Sequence, residues 1–117
     1  MCGISGVYSF QIDAGEGSLR ADVRHMTDLM ARRGPDDEGF WTDGRCALGF
    51  RRLSILDLSP TGSQPMFTAD KRYVLIFNGE VYNFKDVRPQ LEERGVRFRS
   101  SGDTEVVLYA LAEWGAA

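Results

Sequence analysis

A strand pattern that begins at the second residue constrains this chain more than any other feature. Residues 2–10 are small, β-branched and aromatic, which is typical of a strand, and a glycine-rich loop follows. Cys2 stands directly behind Met1, so removal of the methionine would place a thiol residue first in the chain, at the open end of that strand. Free cysteines are often small buried hydrophobes, and that interpretation of Cys2 also stays open.

The chemistry of such a terminus follows from two reference pKa values. An α-amino group titrates at about 7.7 to 8.0 and a free thiol at about 8.5. After loss of Met1, the amine of Cys2 could therefore accept the thiol proton near neutral pH, directly or through a water molecule. A nucleophile and its base would then lie on one residue, and no histidine would be needed.

Helical spacing of apolar residues predicts an amphipathic helix early in the chain. This helix begins at a candidate N-cap, Ser18, has arginines at 32–33 in its last turn, and stops at the Gly-Pro pair 34–35. Its predicted apolar face consists of Leu19, Val23, Met26 and Met30.

Two further helices are predicted in the second half of the chain. One covers residues 86–94, with Asp86 as N-cap and Gly95 as terminator. The last helix is capped by Asp103 or Thr104. Its expected apolar face consists of Val107, Leu111 and Trp114, and Gly115 ends it.

Strand patterns between the predicted helices indicate a mixed α/β fold. Segments 40–42 and 46–50 predict a hairpin around Asp-Gly at 43–44, a pair that tolerates the positive φ of tight hairpin turns. The apolar run 73–77 is consistent with a strand buried on both faces, and 96–99 with a short strand. We therefore predict one domain over residues 1–117.

The amino-acid composition limits which class of protein this chain belongs to and which partners it can bind. Hydrophobic residues make up 43% and charged residues 26%, which are ordinary values for a globular domain. The net charge of -3 gives no basic footprint for nucleic acid, and no segment is long and apolar enough to span a membrane. Since no secretory signal stands at the start, we expect a reducing cytoplasm and no disulfide between Cys2 and Cys46, with Cys46 in the core.

Metal chemistry is not expected. His25 is the only histidine and is predicted to face solvent, so neither a histidine-based metal site nor a histidine-dependent triad is indicated. The acidic residues at 36–38 could suggest a cation site, but they are better interpreted as a solvated loop.

Four motifs follow Cys2 in a fixed order. They are Arg-Gly-Pro-Asp at 33–36, Arg-Leu-Ser-Ile at 52–55, Asn-Gly-Glu-Val-Tyr-Asn at 78–83 and Gly-Asp-Thr-Glu-Val at 102–106. Together they resemble the class II glutamine amidotransferases, and most of all the N-terminal glutaminase domain of the glutamine-hydrolysing asparagine synthetases. The resemblance runs along the whole chain. It implies an α+β Ntn-hydrolase-like fold, a four-layer αββα sandwich of which this chain is the N-terminal part.

The resemblance also implies a reaction and its catalytic residues. Cys2 would hydrolyse glutamine to glutamate and ammonia through a thioester, without a cofactor in this domain. The Asn78 side-chain amide and the Gly79 N–H would form the oxyanion hole. From the pattern alone, however, Asn-Gly after an apolar run favours a hairpin turn.

Substrate-binding residues are implied in the same way. Arg52 would clamp the carboxylate of glutamine, and Asp103 would pair with its ammonium group. The alternatives without a role in binding are a solvated charge on a strand for Arg52 and a helix cap for Asp103. By the same resemblance, Leu53, Ile55 and Gly79 would line the site through backbone groups, and Glu80 would contact the substrate amine or order its loop.

One further motif fits the family pattern, and two positions depart from it. The Arg-Gly-Pro-Asp segment at 33–36 is similar to a structural loop of the family that supports the site. Phe50 stands where a histidine is common, and Gly102 where a serine often precedes the aspartate.

Partners are implied beyond the domain itself. In asparagine synthetases the ammonia passes to a C-terminal synthetase domain that uses ATP and Mg. The pyrophosphatase loop of that domain and a later core strand of the glutaminase domain are absent here, so we expect a fragment of a longer polypeptide; whether it folds or is active alone stays open. A different ammonia acceptor, a homodimer and a non-catalytic glutaminase-like binding module all stay open; retention of Met1 would favour the last.

Overall fold

The computed structural model of the protein describes residues 2–11, 15–54 and 59–116. It is an α+β domain whose sheets are antiparallel. The strands are β1 (Gly3–Tyr8), β2 (Asp37–Thr42), β3 (Cys46–Arg52), β4 (Met66–Phe67) and β5 (Val74–Leu75). The α-helices are α1 (Glu16–Asp28), α2 (Phe84–Glu93) and α3 (Asp103–Trp114), and a 3-10 turn covers Pro60–Gly62.

The larger sheet has the order β1-β3-β2 and carries α1 on one face. Leu19 and Val23 of α1 form a buried cluster with Ala47 of β3, and Val7 and Phe40 of the outer strands pack against it. Alternate residues of a strand point to opposite faces, so Val7, Ala47 and Phe40 lie on the face of the sheet that α1 covers.

The face of α1 that meets the sheet differs in part from the prediction, although Leu19 and Val23 are buried as expected. Thr27 is fully buried, whereas Met26 is 38% exposed. A Cβ placed on Gly49 would overlap the Thr27 hydroxyl, so the helix lies very close to β3 at this point. A compact threonine fits there, and its hydroxyl contacts Ser5 Oγ at 2.8 Å and donates to the Val23 carbonyl at 2.7 Å.

The ends of α1 also differ from the prediction. Gly15 and not Ser18 is the N-cap, and it makes no side-chain capping bond. At the other end the helix stops at Asp28, and the chain continues in turns with Met30 N–H donating to Thr27 O at 3.0 Å. The arginines at 32–33 therefore follow the helix. His25 is exposed, as expected.

The β2–β3 hairpin is confirmed, but its turn is not the one predicted. Neither Asp43 nor Gly44 has a positive φ. The Asp43 carboxylate instead accepts bonds from the N–H groups of Arg45 at 2.8 Å and Cys46 at 2.7 Å, which closes a three-residue connection. Cys46 is half-buried and not in the core, and both cysteines are free thiols.

The strand predicted at 73–77 is shorter and more exposed than the pattern indicated. Only Val74–Leu75 pairs, with Phe67 and Met66, and Tyr73 is 40% exposed. The prediction of burial on both faces is therefore wrong. An apolar run cannot by itself distinguish a buried strand from a short hairpin arm.

Helix α2 begins at Phe84 with Asn83 as N-cap, so Asp86 lies in the first turn and is not the cap. Gly95 ends the helix as predicted, at φ 94°, with its N–H donating to Glu92 O at 3.0 Å. Residues 96–99 form no strand. The prediction of a strand there is wrong: Val96 N–H donates to Leu91 O at 3.1 Å, and Arg99 N–H donates to the Glu105 carboxylate at 2.8 Å.

Helix α3 buries a different face from the one predicted. Leu111 is 38% and Trp114 42% exposed, whereas Glu105, Val106 and Leu108 are buried. Gly115 ends the helix as expected, at φ 79°. None of the helices in the described ranges is long and apolar enough to cross a membrane.

Candidate active site

A cavity of about 360 Å³ lies where the ends of several segments meet. It is lined by parts of β3, of the segments 53–54, 62–66 and 77–82, and of the start of α3. Among the predicted site residues, the lining contains Cys2, Arg52, Leu53, Asn78, Gly79, Glu80 and Asp103. Ile55, the remaining one, and Met1 lie outside the described residues.

The Cys2 thiol is held by the backbone of Leu53. Leu53 N–H donates to Cys2 Sγ at 3.3 Å, and the thiol lies 3.4 Å from Leu53 O. This pairing follows from the sheet register, because Gly3 at the start of β1 lies opposite Arg51 near the end of β3. The half-buried sulfur is thus fixed at the cavity wall, with an N–H donor directed at it.

The Asn-Gly pair lies beside the thiol residue and does not form a hairpin turn. Asn78 Nδ2 donates to the Cys2 carbonyl at 3.0 Å. Asn78 and Gly79 belong to an irregular, exposed segment between β5 and α2, and Gly79 has no positive φ. The turn predicted from the pattern is therefore wrong. The side-chain amide and the glycine backbone both border the cavity.

Two opposite charges are buried in the cavity wall. Arg52 is 7% exposed, and its guanidinium donates to Ser59 O at 2.8 Å, so it is not a solvated strand charge. Asp103 is 5% exposed and does not cap α3; its carboxylate accepts a bond from Val81 N–H at 2.8 Å. A wall that presents a guanidinium and a carboxylate can recognise a zwitterion, because each charge of the ligand finds its opposite.

The Arg-Gly-Pro-Asp segment packs against the end of β3, next to the site. A Cβ at Gly34 would overlap the Arg51 carbonyl carbon, so only glycine permits this approach. Asp36 N–H donates to Arg52 O at 2.9 Å, and the Asp36 carboxylate accepts Ser54 N–H at 2.8 Å. These bonds hold the backbone on both sides of Leu53, which in turn contacts the thiol.

Of the acidic residues at 36–38, Asp36 lies in an exposed bend, as expected, but the other two are not in a loop. Asp37 and Glu38 begin β2, and the Glu38 carboxylate accepts a bond from the Arg51 guanidinium at 2.5 Å. Within the described part of the chain, no group of three histidine, cysteine or acidic side chains is arranged to hold a metal ion.

Two buried side chains near the cavity were missed by the sequence analysis. Glu105, 2% exposed, accepts bonds from Arg99 N–H at 2.8 Å and from the N–H and hydroxyl of Ser100 at 3.0 and 2.9 Å. Its position three residues after the N-cap Gly102 was a usable signal, since a glutamate there often reaches back to free N–H groups. The other is Gln64, for which the sequence offered no comparable signal.

Comparison with known proteins identifies the family. A family model described as a glutamine amidotransferase domain matches residues 1–117. The chain belongs to this family. The glutamine amidotransferase domain described here is 40% identical over 108 residues to asparagine synthetase [glutamine-hydrolyzing] 1 of Bacillus subtilis, covering 92% of this chain and 17% of that protein.

Other relatives of this amidotransferase domain carry similar names. Asparagine synthetase B [glutamine-hydrolyzing] of Escherichia coli is 37% identical over 98% of this chain and 20% of its own length. Asparagine synthetase [glutamine-hydrolyzing] 1 of Arabidopsis thaliana is 34% identical over 98% of this chain and 19% of its own length. The chain thus spans a fifth or less of the length of these curated relatives.

The two thiols of the amidotransferase domain are expected to react differently. Burial, and secondarily the neighbouring Asp43, raise the pKa of the Cys46 thiol, so less of it is thiolate at any given pH. Cys46 also lies outside the cavity lining. We expect an alkylating analogue of glutamine to modify Cys2 and to leave Cys46 intact.

Peptide mass mapping of the labelled protein checks this expectation. Excess free glutamine should protect Cys2, and the Cys46→Ala variant should be labelled as fast as the wild type. Label found on Cys46, or labelling that glutamine does not slow, would show that the cavity is not the site of the reactive thiol.

Proposed function

We propose that this protein hydrolyses glutamine to glutamate and ammonia, with Cys2 as the nucleophile. One observation carries the proposal: the Cys2 thiol, the Asn78 amide and the buried pair Arg52 and Asp103 line a single cavity in a member of this family. That set contains a nucleophile, an oxyanion donor and a recognition group for each charge of an amino acid.

The proposed reaction proceeds in two halves. After removal of Met1, the free amine of Cys2 accepts the thiol proton, and the sulfur attacks the side-chain amide carbon of glutamine. The tetrahedral oxyanion is stabilised by Asn78 Nδ2 and Gly79 N–H. The amine then returns the proton to the leaving nitrogen, the C–N bond breaks, and ammonia departs from a thioester.

The second half regenerates the enzyme. A water molecule gives a proton to the Cys2 amine and attacks the thioester carbon, and the same donors stabilise the second oxyanion. The C–S bond then breaks, glutamate leaves, and the thiol recovers its proton. The protein therefore needs no metal or cofactor of its own for this step.

Substrate recognition is proposed for Arg52 and Asp103, which line the same cavity as the thiol. Arg52 is suited to the substrate carboxylate because its planar guanidinium can bind two oxygens at once, and Asp103 is suited to the ammonium group. Leu53, Ile55 and Gly79 would contribute backbone groups, and Glu80 would contact the amine or order its own loop.

The proposed fate of the ammonia rests on the names of the relatives. Since these are glutamine-hydrolysing asparagine synthetases, we propose that ammonia passes to a synthetase partner that uses ATP and Mg to amidate aspartate in the cytoplasm. We further propose that the complete domain is a four-layer αββα sandwich of the Ntn-hydrolase type.

The test of this proposal is a direct assay of glutamate and ammonia release from glutamine by the purified protein. We expect Arg52→Lys and Asp103→Asn to raise KM for glutamine about 10-fold or more, with smaller changes in kcat, because these contacts form in the ground state as well as in the transition state. Matched controls are Arg45→Lys and Asp22→Asn, two exposed positions away from the cavity that should leave both constants unchanged.

The opposite kinetic pattern, with kcat reduced and KM unchanged, would show that Arg52 and Asp103 act on the chemistry and not on binding. Binding of glutamine without any hydrolysis, in protein whose mass shows that Met1 has been removed, would instead favour a non-catalytic glutamine-binding module.

A further inference from the structure

The Gln64 side chain forms with the backbone of Phe77 the hydrogen bonds that a neighbouring strand would otherwise form. Phe77 N–H donates to Gln64 Oε1 at 2.6 Å, and Gln64 Nε2 donates to Phe77 O at 3.2 Å. One side-chain amide therefore satisfies both backbone groups of a single residue. Gln64 is 6% exposed, so these bonds lie away from bulk water and neither partner is easily replaced by solvent.

The register of the small sheet explains this contact. Met66 lies opposite Leu75, and two residues further along the same register Gln64 lies opposite Phe77. The backbone of Gln64 has turned away to pack on β2, where a Cβ at Gly39 would overlap the Gln64 carbonyl oxygen. The side chain thus continues the β4–β5 ladder after the backbone has left it.

The ladder leads directly into the Asn-Gly pair. The carbonyl of Phe77 and the N–H of Asn78 belong to one planar peptide, so a bond to that carbonyl also orients the start of residue 78. On the other side, the Asp103 carboxylate holds Val81 N–H at 2.8 Å. Side chains from two distant parts of the chain, Gln64 and Asp103, therefore bond to the residues on either side of the exposed segment 78–80.

We infer that Gln64 is a positioning residue for the oxyanion donors Asn78 and Gly79. The inference rests on the proposed glutamine hydrolysis. The oxyanion exists in the tetrahedral intermediates and not in bound glutamine, so a displaced donor lowers kcat and leaves KM almost unchanged. A displacement of about 1 Å can cost on the order of 100-fold in rate.

The experiment compares two substitutions of Gln64. Gln64→Glu keeps the length and the acceptor for Phe77 N–H but places an oxygen opposite the Phe77 carbonyl, and Gln64→Met removes both bonds at similar volume. We expect kcat to fall roughly 10- to 100-fold in both, with KM within about 3-fold of wild type. Combined with Asn78→Ala, either substitution should cost less than the product of the two separate effects, because both act through the same donor.

Thr68→Val is the matched control. Thr68 is 4% exposed and its hydroxyl oxygen accepts Tyr73 N–H at 3.2 Å, so it supports the other end of the same hairpin without lining the cavity. This variant should lose stability and keep kcat. A kcat loss equal to that of Gln64→Glu would overturn the inference, since loosening of the hairpin would then explain both results.

Two further outcomes separate this inference from the proposed function. If wild type hydrolyses glutamine and the Gln64 variants keep kcat, or change KM alone, the positioning role is wrong and the proposed function stands. If wild type does not hydrolyse glutamine, the proposed function fails. The positioning role of Gln64 is then tested by amide hydrogen exchange at residues 77–79. Unchanged exchange in Gln64→Glu would overturn the positioning role.

Discussion

Cys2→Ala is expected to abolish glutamine hydrolysis, with a loss of kcat of at least about 10⁴-fold. Loss of a nucleophile removes the covalent route entirely, and what remains is the catalysis that binding and oxyanion donors can supply without it. The measurement is glutamate release, with trapping of the thioester by acid quench as a second readout. The Cys46→Ala variant is the control, because Cys46 is half-buried and outside the cavity.

The same site predicts that activity depends on removal of Met1. A residue that blocks methionine removal would convert the Cys2 amine into an amide, which does not titrate near neutral pH and cannot accept the thiol proton. Glutamine hydrolysis should then be lost although the thiol is present, and the intact mass of the protein shows whether the block is complete. Full activity in a protein with a blocked terminus would contradict the proposed base.

Gly34→Ala is expected to destabilise the fold by about 3 kcal/mol, the upper part of the range for a forced contact in a packed region. The new methyl would overlap the Arg51 carbonyl carbon and lie 2.6 Å from Arg52 N, and a backbone at the end of β3 cannot move aside as a side chain can. The thermal midpoint should fall by roughly 10 °C or more. Because Arg52 would shift with the strand, KM for glutamine should also rise.

Gly44→Ala is the control for that substitution. A Cβ at Gly44 has no heavy atom within 4 Å, and its φ is not positive, so the change in unfolding free energy should stay within about 0.5 kcal/mol. Thermal unfolding followed by circular dichroism measures both variants. Equal thermal midpoints for Gly34→Ala and Gly44→Ala would show that residues 33–36 do not pack against β3 as the structure indicates.

The elements that the sequence predicted correctly have local causes. Asp43 closes its hairpin with its own carboxylate, and Gly95 and Gly115 end helices because positive φ costs glycine little. The family was also predictable, but by resemblance and not by physics. The same resemblance named seven residues that all line one cavity, with Ile55 outside the described part of the chain.

Predictions that depended on contacts between distant segments failed more often. Met26 was expected inside and Thr27 was not considered, because helical spacing alone cannot show that β3 presents Gly49 to the helix. The expected apolar face of α3 likewise has two residues, Leu111 and Trp114, that are more than one-third exposed. Amphipathic spacing gives the period of a helix, whereas the packing partner decides which side is buried.

What the sequence by itself determined was therefore the family, the β2–β3 hairpin, and the helix ends at Gly95 and Gly115. Only the tertiary structure decided how the site residues are held: that Asn78 bonds to Cys2 and does not turn, that Arg52 and Asp103 are buried, and that Gln64 pairs with Phe77. The physical reason is distance along the chain. Asn78 and Cys2 are 76 residues apart, and a hydrogen bond over that separation depends on the fold of everything between them.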